Sequence, residues 1–241
     1  MTDMRGLRSA RGPRIVHDRA RSIEQRVDDA FRTFVGHAGF PCLAAKGAVR
    51  QRDYQLGVYG ALGSVEASGT LARNLADFTQ RASPDGDRFT AFVAVFTGRA
   101  PASERAFERR LWMQLQQLHE HDDPVVGWDP AVSSDPEDPR FSFSFGGCAF
   151  FVVGLHLRSS RLARRFHWPA LVFNPHAQFE RLRREGRYER LRERIRERDT
   201  ALQGSPNPNL ADFGERSDAR QYSGRDLSAV EWRCPFHVHR P

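Results

Sequence analysis

The feature of this 241-residue sequence that most constrains its fold is a pair of apolar segments joined by two glycines. In the first segment, residues 140–145, phenylalanine alternates with serine, which is the two-residue period of a β-strand. Gly146 and Gly147 supply a tight turn, and the apolar segment 149–155 follows directly. The two segments therefore predict an antiparallel β-hairpin.

Further segments extend this hairpin into a sheet with helices around it. The continuously apolar run 89–96 predicts a buried central strand, and residues 170–173 predict a short fourth strand. Apolar residues at helical spacing predict helices at 22–36, 69–80, 103 to about 120, 178–185 and 188–202, with a turn at 83–86. The fold class is therefore α+β: a single domain with a mostly antiparallel central sheet of about four strands flanked by helices.

The length and the charge pattern divide the chain into a short arm and one domain. Residues 1–18 are basic and show no apolar period, so they predict a disordered basic arm. Residues 19–241 are few enough to share one hydrophobic core. We therefore expect a single domain from residue 19 to residue 241.

The net charge of +7 comes almost entirely from arginine, since Lys46 is the sole lysine. In the run 181–198 the arginines alternate with acidic residues, which is typical of a solvated helix face rather than a nucleic-acid groove. No apolar stretch reaches the length of a bilayer span, and no signal peptide is visible. We expect a cytoplasmic protein that binds neither nucleic acid nor membrane.

A group of residues after the hairpin carries the most chemical information. His156 follows the second apolar strand, and Arg158, Ser160 and Arg161 come directly after it. An axial imidazole with cationic and hydroxyl partners for two propionates suits haem. The neighbouring arginines also favour the neutral imidazole that binds metal. The same pattern is equally typical of a histidine that caps a strand beside solvated arginines.

Other candidate ligands are spread along the chain. His176 follows Asn174-Pro175 at a predicted strand-to-helix junction, and it is an alternative axial ligand or a helix cap. Cys42 and Cys234 each neighbour a proline, and a thiolate ligand suits oxygen activation at haem. The three cysteines are too widely spaced for a disulfide framework or a structural zinc site. His119 and His121 are candidate ligands of a non-haem metal, or part of a polar helix end.

Many ordered blocks of the sequence resemble the YqcI/YcgG family from about Phe31 onward. The matching blocks are residues 40–46, 92–96, 107–119, 141–147, 150–156, 160–166, 172–180, 195–199, 207–210, 219–225 and 234–236. One departure stands beside His156, where Leu157 replaces the proline that family members often carry. Because studied family members are haem-dependent N-oxygenases of guanidine compounds, such as arginine and pre-guanitoxin N-hydroxylases, the resemblance implies the same class of enzyme here.

The resemblance implies haem b as cofactor and a haem-dependent monooxygenase that hydroxylates a guanidine nitrogen of arginine or an arginine-like amino acid. His156 is the first choice of axial ligand, with Cys42, Cys234 and His176 as alternatives. The other cofactor-binding candidates are Arg158, Ser160, Arg161 and Lys46, and the candidate partners of a guanidinium are Glu180, Asp212, Glu215 and Asp218.

The same resemblance implies dioxygen and an electron donor as further partners, and a homodimer is an open alternative to a monomer. Two other functions stay open from the sequence. One is a haem-binding redox or sensor protein without oxygenase turnover. The other is a non-haem metal enzyme that uses His119 and His121.

Overall fold

A computed structural model describes residues 21–81 and 88–238 of the chain. The predicted arm at 1–18 and the turn at 83–86 lie outside the described residues. The elements are α1 (Ile23–Gly36), α2 (Leu43–Gln51), β1 (Tyr54–Tyr59), α3 (Val65–Arg81), β2 (Ala91–Phe96), α4 (Glu104–Glu120), β3 (Phe143–Phe145), β4 (Cys148–Leu155), β5 (Ala170–Pro175), α5 (His176–Arg184), α6 (Tyr188–Gln203) and α7 (Ala219–Tyr222). A short 3₁₀ turn spans Leu162–Arg164.

The strands form one sheet in the order β1-β2-β5-β4-β3. β1 and β2 are parallel, and the other three neighbouring pairs are antiparallel, so the predicted α+β class with a mostly antiparallel sheet is confirmed. The sheet has five strands rather than the predicted four or so, and the additional strand is β1. β2 lies inside the sheet and is buried along its whole length, as predicted.

The predicted hairpin is confirmed, with a shorter first strand. Both turn residues have positive φ, 58° at Gly146 and 68° at Gly147, which is the type I′ geometry that matches the twist of paired strands. β3 begins only at Phe143, because the backbone at Phe141 forms an isolated parallel bridge with Ser133 instead of pairing with β4.

Capping residues explain where two predicted helices begin. The hydroxyl of Ser22 accepts a hydrogen bond from the backbone N–H of Gln25, and the backbone N–H of Ser22 donates to the side chain of Gln25, which makes a capping box before α1. Ser103 caps α4 in a similar way through the backbone N–H of Ala106. The remaining predicted helices correspond to α3, which begins four residues earlier than predicted, and to α5 and α6.

The sheet buries both of its faces. On the first face, α3 and α4 pack over a core rich in phenylalanine, which α7 and the C-terminal segment complete. On the second face, α1 inserts Val27, Phe31 and Val35 against Val93 and Val95 of β2. Fully burying such a side chain stabilises the fold by about 1.5–3 kcal/mol. No helix within the described ranges is long and apolar enough to cross a membrane.

Coverage of the second face is incomplete in the middle of the sheet. Val153 of β4 and Val172 of β5 pack against the second core but stay half-buried. Phe179 of α5 does not fill this surface, since its ring packs 6.3 Å from that of Phe151, which contacts the first core. The second face therefore keeps apolar surface that the described helices do not fully cover.

Candidate cofactor and substrate site

His156 follows β4 directly, as predicted, and its imidazole is only 2% exposed. Its ring stacks on Phe107 of α4, with centroids 4.2 Å apart. Neither ring nitrogen has a hydrogen-bond partner among the described residues, although buried polar groups are nearly always bonded. Burial lowers the pKa of His156 to about 4, with Arg164 adding to the effect and Glu104 opposing it. The imidazole is therefore neutral and has a lone pair available.

The arginines that follow His156 in sequence differ in burial and in hydrogen-bond partners. Arg158 is exposed. The guanidinium of Arg161 binds the carboxylate of Asp199 in α6 and donates to the carbonyl of Ser205, 3.1 Å away. Arg164 is also buried, and it donates to the backbone carbonyls of Gly154 and Tyr222 at 3.3 and 3.0 Å. These contacts occupy both buried guanidinium groups.

Ser160, the hydroxyl candidate beside them, is bound to Glu104 of α4. The carboxylate of Glu104 accepts from the backbone N–H of Ser160 at 2.7 Å and from its hydroxyl at 2.8 Å. The expected group of Arg158, Ser160 and Arg161 is therefore not assembled as one open anion site. Arg158 is the member whose side chain has no protein partner among the described residues.

Cys42 lies at the N-cap of α2, a helix that sequence reasoning missed. Its sulfur accepts a hydrogen bond from the backbone N–H of Ala45 at 3.5 Å, and the residue is half-buried. Burial raises the pKa of the Cys42 thiol, while the backbone N–H groups of Ala45 and Ala44 pull it down. The start of a helix carries positive potential, which favours a thiolate at this position once a metal has displaced the proton.

Two cationic side chains bind backbone carbonyls of the turn that precedes Cys42. Nζ of Lys46, one turn further along α2, donates to the carbonyl of His37 at 2.7 Å. Burial lowers the pKa of Lys46, and the nearby charges of Arg198 and Arg50 lower it further. Arg198 of α6 holds the same chain by donating to the carbonyls of Ala38 and Phe40 at 2.6 and 3.0 Å. Lys46 and Arg198 therefore both hold the turn that precedes Cys42, and Arg198 comes from a part of the chain that is distant in sequence.

His176 begins α5 at the predicted strand-to-helix junction. Its Nε2 lies 3.0 Å from Oε1 of Glu180, and its ring packs on Phe213 with centroids 4.4 Å apart. Burial lowers the pKa of His176, and Glu180 opposes this. In the β4–β5 pair, Leu155 faces Ala170 at one end and residue 150 faces residue 175 at the other, and these two terminal pairs are about 17 Å apart along the strands. His156 and His176 lie just beyond opposite ends of this paired region, so they cannot act on one bound group at the same strand end.

Cys234 and the remaining histidine candidates lie on the first face. Cys234 is buried in the phenylalanine-rich core, and burial raises the pKa of its thiol to about 12. His119 packs against Trp128 and Phe236 in the same core, whereas His121 is exposed at the end of α4. Within the described residues, no three His, Cys, Asp or Glu side chains are placed to hold a metal ion together. The non-haem alternative therefore finds no ligand set there.

Three of the four carboxylates predicted to bind a guanidinium already have partners. Glu180 pairs with Arg183 and His176. Asp212 pairs with Arg192 and, at 3.7 Å, with Arg196, and these contacts tie it to α6. Glu215 accepts a hydrogen bond from the backbone N–H of Asp212 at 3.0 Å.

Asp218 differs from the other three because it is buried without an arginine in ion-pair contact among the described residues. The hydroxyl of Ser142 donates to its carboxylate at 2.5 Å. Burial raises the pKa of Asp218 to about 7, although the bond from Ser142 opposes this. Its enclosure beside Tyr222 leaves it poorly placed to meet a ligand from solvent.

Sequence reasoning missed Asp199, which is the buried residue of the otherwise charged and accessible helix α6. It lines a cavity of about 200 Å³ together with Arg196, Pro206, Asn207 and Leu210. The signal that could have identified Asp199 is its place four residues after Ile195 and eight after Leu191, in line with the apolar positions of the helix. A larger, open cleft of about 370 Å³ lies between α1 and β1, around Tyr54, and contains no residue predicted from the sequence.

The geometry describes an α+β protein with helices on both sheet faces, an unbonded imidazole at one strand end and a helix-capping cysteine on the second face. Among known proteins, the model of the YqcI/YcgG family matches residues 31–237, and the chain belongs to that family. An uncharacterized protein YcgG from Bacillus subtilis (strain 168) is 25% identical over 206 residues, which cover 82% of this chain and 80% of that protein. No solved structure is significantly similar to the present chain.

Proposed function

We propose that this protein is a haem-dependent N-hydroxylase that acts on a guanidine nitrogen of arginine or an arginine-like amino acid. Membership of the YqcI/YcgG family supports the proposal, because the family resemblance implies this class of enzyme. The observation that carries it to particular residues is the position of Cys42, a half-buried thiol at a helix N-terminus that follows a turn held by Lys46 and Arg198.

Haem iron, when bound, would supply reductive activation of dioxygen, with one oxygen atom entering an N–H bond and the other leaving as water. Cys42 would hold the iron as a thiolate, and the backbone N–H of Ala45 would stabilise the negative sulfur. The half-buried surface around Val153 and Val172 offers apolar contact on the same sheet face. Lys46 is the cation nearest in sequence for a propionate.

His156 remains the second candidate for the axial ligand. Its sequence neighbours made it the first choice over Cys42, because arginines follow it, but Arg161 is bound to Asp199 and Arg158 is exposed. What favours His156 is its neutral ring, whose two nitrogens lack partners among the described residues. Its burial beside Phe107 means that a cofactor reaches it only if this part of the core opens.

The test is to load the full-length protein with haem and to compare three variants. We expect a Soret band in the wild type, a ferrous–CO band at the long wavelength typical of thiolate ligation, and loss of both in Cys42→Ser. Cys148→Ser is the matched control, because Cys148 is a half-buried free thiol at the other edge of the sheet. His156→Leu should keep the haem spectrum. If the spectrum is lost in His156→Leu and kept in Cys42→Ser, His156 is the axial ligand instead.

Turnover is tested separately from haem binding. With arginine, dioxygen and a reductant, we expect a hydroxyguanidine product that is one oxygen atom heavier than the substrate. A protein that binds haem and yields no such product with arginine or related guanidines would be a redox or sensor protein instead. A protein that binds no haem would contradict the proposal entirely.

A further inference from the structure

The cavity beside α6 has walls that are held in place by one buried ion pair. Arg161, in the segment that leads into the 3₁₀ turn, binds Oδ2 of Asp199 and donates to the carbonyls of Ser205 and Pro206 at 3.1 and 3.4 Å. Helix α6 and the segment 205–210 are thereby joined through a single guanidinium. The cavity between them is therefore a built feature and not a gap between loose segments.

Three polar groups of the lining are not fully used by the protein. Oδ1 of Asp199 and the side-chain nitrogen of Asn207 have no hydrogen bond to any part of the described chain. Arg196 is 41% exposed at its side chain, and its one ion pair, with Asp212, is loose at 3.7 Å. The lining thus presents a carboxylate oxygen, an amide donor and a guanidinium to whatever enters.

The two charged groups of the lining are close together and opposite in sign. Arg196 and Asp199 are three residues apart on one helix, so their Cβ atoms are about 5–6 Å apart on the same face. A free amino acid carries a carboxylate and an ammonium on one carbon atom, so it can contact two neighbouring side chains of opposite charge at once. A simple anion would bind Arg196 but would leave Oδ1 of Asp199 without a partner.

The size of the cavity and its apolar wall are consistent with such a ligand. Its volume of about 200 Å³ is below the roughly 300–1,000 Å³ typical of sites for drug-sized molecules. Pro206 and Leu210 provide apolar surface for an aliphatic stem. The site therefore suits the polar end of a small amino acid better than a nucleotide or a macrocycle.

We propose that this cavity binds the α-carboxylate and α-ammonium groups of an amino acid, with Arg196 taking the carboxylate, Asp199 the ammonium and Asn207 a carboxylate oxygen. Identifying that amino acid as the arginine-like substrate rests on the proposed N-hydroxylase function; the binding itself does not. The inference would make Arg196 a residue that determines specificity for amino acids over simple guanidines.

Calorimetric titration of the full-length protein tests the inference without any need for turnover. L-Arginine should bind, whereas agmatine, which lacks the carboxylate, and N-acetyl-L-arginine, which lacks the charged ammonium, should each bind at least about tenfold more weakly. The acetylated ligand tests Asp199 without mutating it, which matters because Asp199 also supports the fold.

Substitution of Arg196 then links the preference to one side chain. In Arg196→Gln, L-arginine should bind only as weakly as agmatine, while agmatine binding stays unchanged, and Arg196→Lys should restore part of the preference. Arg194→Gln is the matched control, because Arg194 is an exposed residue of the same helix. Thermal unfolding should show that all three variants remain folded.

The outcomes separate this inference from the proposed function. Equal binding of arginine and agmatine, no binding of arginine, or equal weakening of both ligands in Arg196→Gln would overturn the amino-acid site even if the protein hydroxylates guanidines. Binding that depends on Arg196 in a protein that takes up no haem would support the site and contradict the N-hydroxylase.

Discussion

Replacement of Arg161 by methionine should strongly destabilise the fold. Its side chain and that of Asp199 are 8% and 12% exposed, and breaking such a buried pair costs about 3–5 kcal/mol because one charge stays buried alone. The change also removes the donors to the carbonyls of Ser205 and Pro206. The expected loss is a large part of the roughly 5–15 kcal/mol that stabilises a typical domain.

Substituting Asp199 as well as Arg161 tests whether the expected loss of unfolding free energy comes from the unpaired carboxylate. If the cost comes from the stranded carboxylate, the double variant Arg161→Met/Asp199→Leu should recover about 2 kcal/mol or more relative to the sum of the single variants. Arg158→Met is the control, because an exposed arginine without a partner should change stability by no more than about 0.5 kcal/mol.

Urea unfolding monitored by tryptophan fluorescence gives the required free energies, provided that the dependence on urea stays the same among variants. For a domain of this length, each kcal/mol lost should also lower the melting temperature by about 2–4 °C. An Arg161→Met protein within about 1 kcal/mol of wild type, or purely additive losses in the double variant, would refute the reasoning.

Two further predictions concern the core. Gly154→Ala should lower the free energy of unfolding by about 1–3 kcal/mol, because a Cβ there would lie 2.6 Å from the ring of Phe107 and 2.8 Å from the carbonyl oxygen of Tyr222. Gly69→Ala is the control and should stabilise the protein slightly, because Gly69 lies in a helix and its nearest neighbour is a flexible side-chain end 4.0 Å away. Asp218 has a pKa raised by burial to about 7, so the folded state holds its proton more tightly than the unfolded state. Unfolding free energy of the wild type should therefore fall relative to Asp218→Asn as the pH rises from about 4 to 7, and parallel pH profiles would contradict this assignment.

Most individual elements could be predicted from the sequence because their signals are local. The hairpin, the buried strand β2 and the helices α1 and α4 depend on residue period, turn glycines and capping serines that act within a few residues. The positions of His156 and His176 beside strands follow from the same signals. β1 was missed because Gln55 and Gly57 interrupt its apolar pattern, and its edge position leaves it only partly buried.

The arrangement of the candidate site could not be predicted in the same way. Sequence proximity suggested that Arg158, Ser160 and Arg161 act with His156, but each side chain meets a different environment. Conversely, Arg198 is distant in sequence from the turn that precedes Cys42 and binds its carbonyls only because α6 packs there. The cavity beside Asp199 likewise could not be read from the sequence, because it forms where α6 packs against the segment 205–210.

By itself, then, the sequence determined the α+β class, most strand and helix positions, the family resemblance and the types of side chain available for chemistry. Tertiary structure decided that β1 pairs parallel to β2, that Arg161 is bound to Asp199, and that Arg198 holds the turn before Cys42. The physical reason is the sequence distance over which the interactions act. Secondary-structure period and helix capping depend on residues close in sequence, whereas a charged side chain is free to bind a ligand only if no distant segment supplies it with a partner.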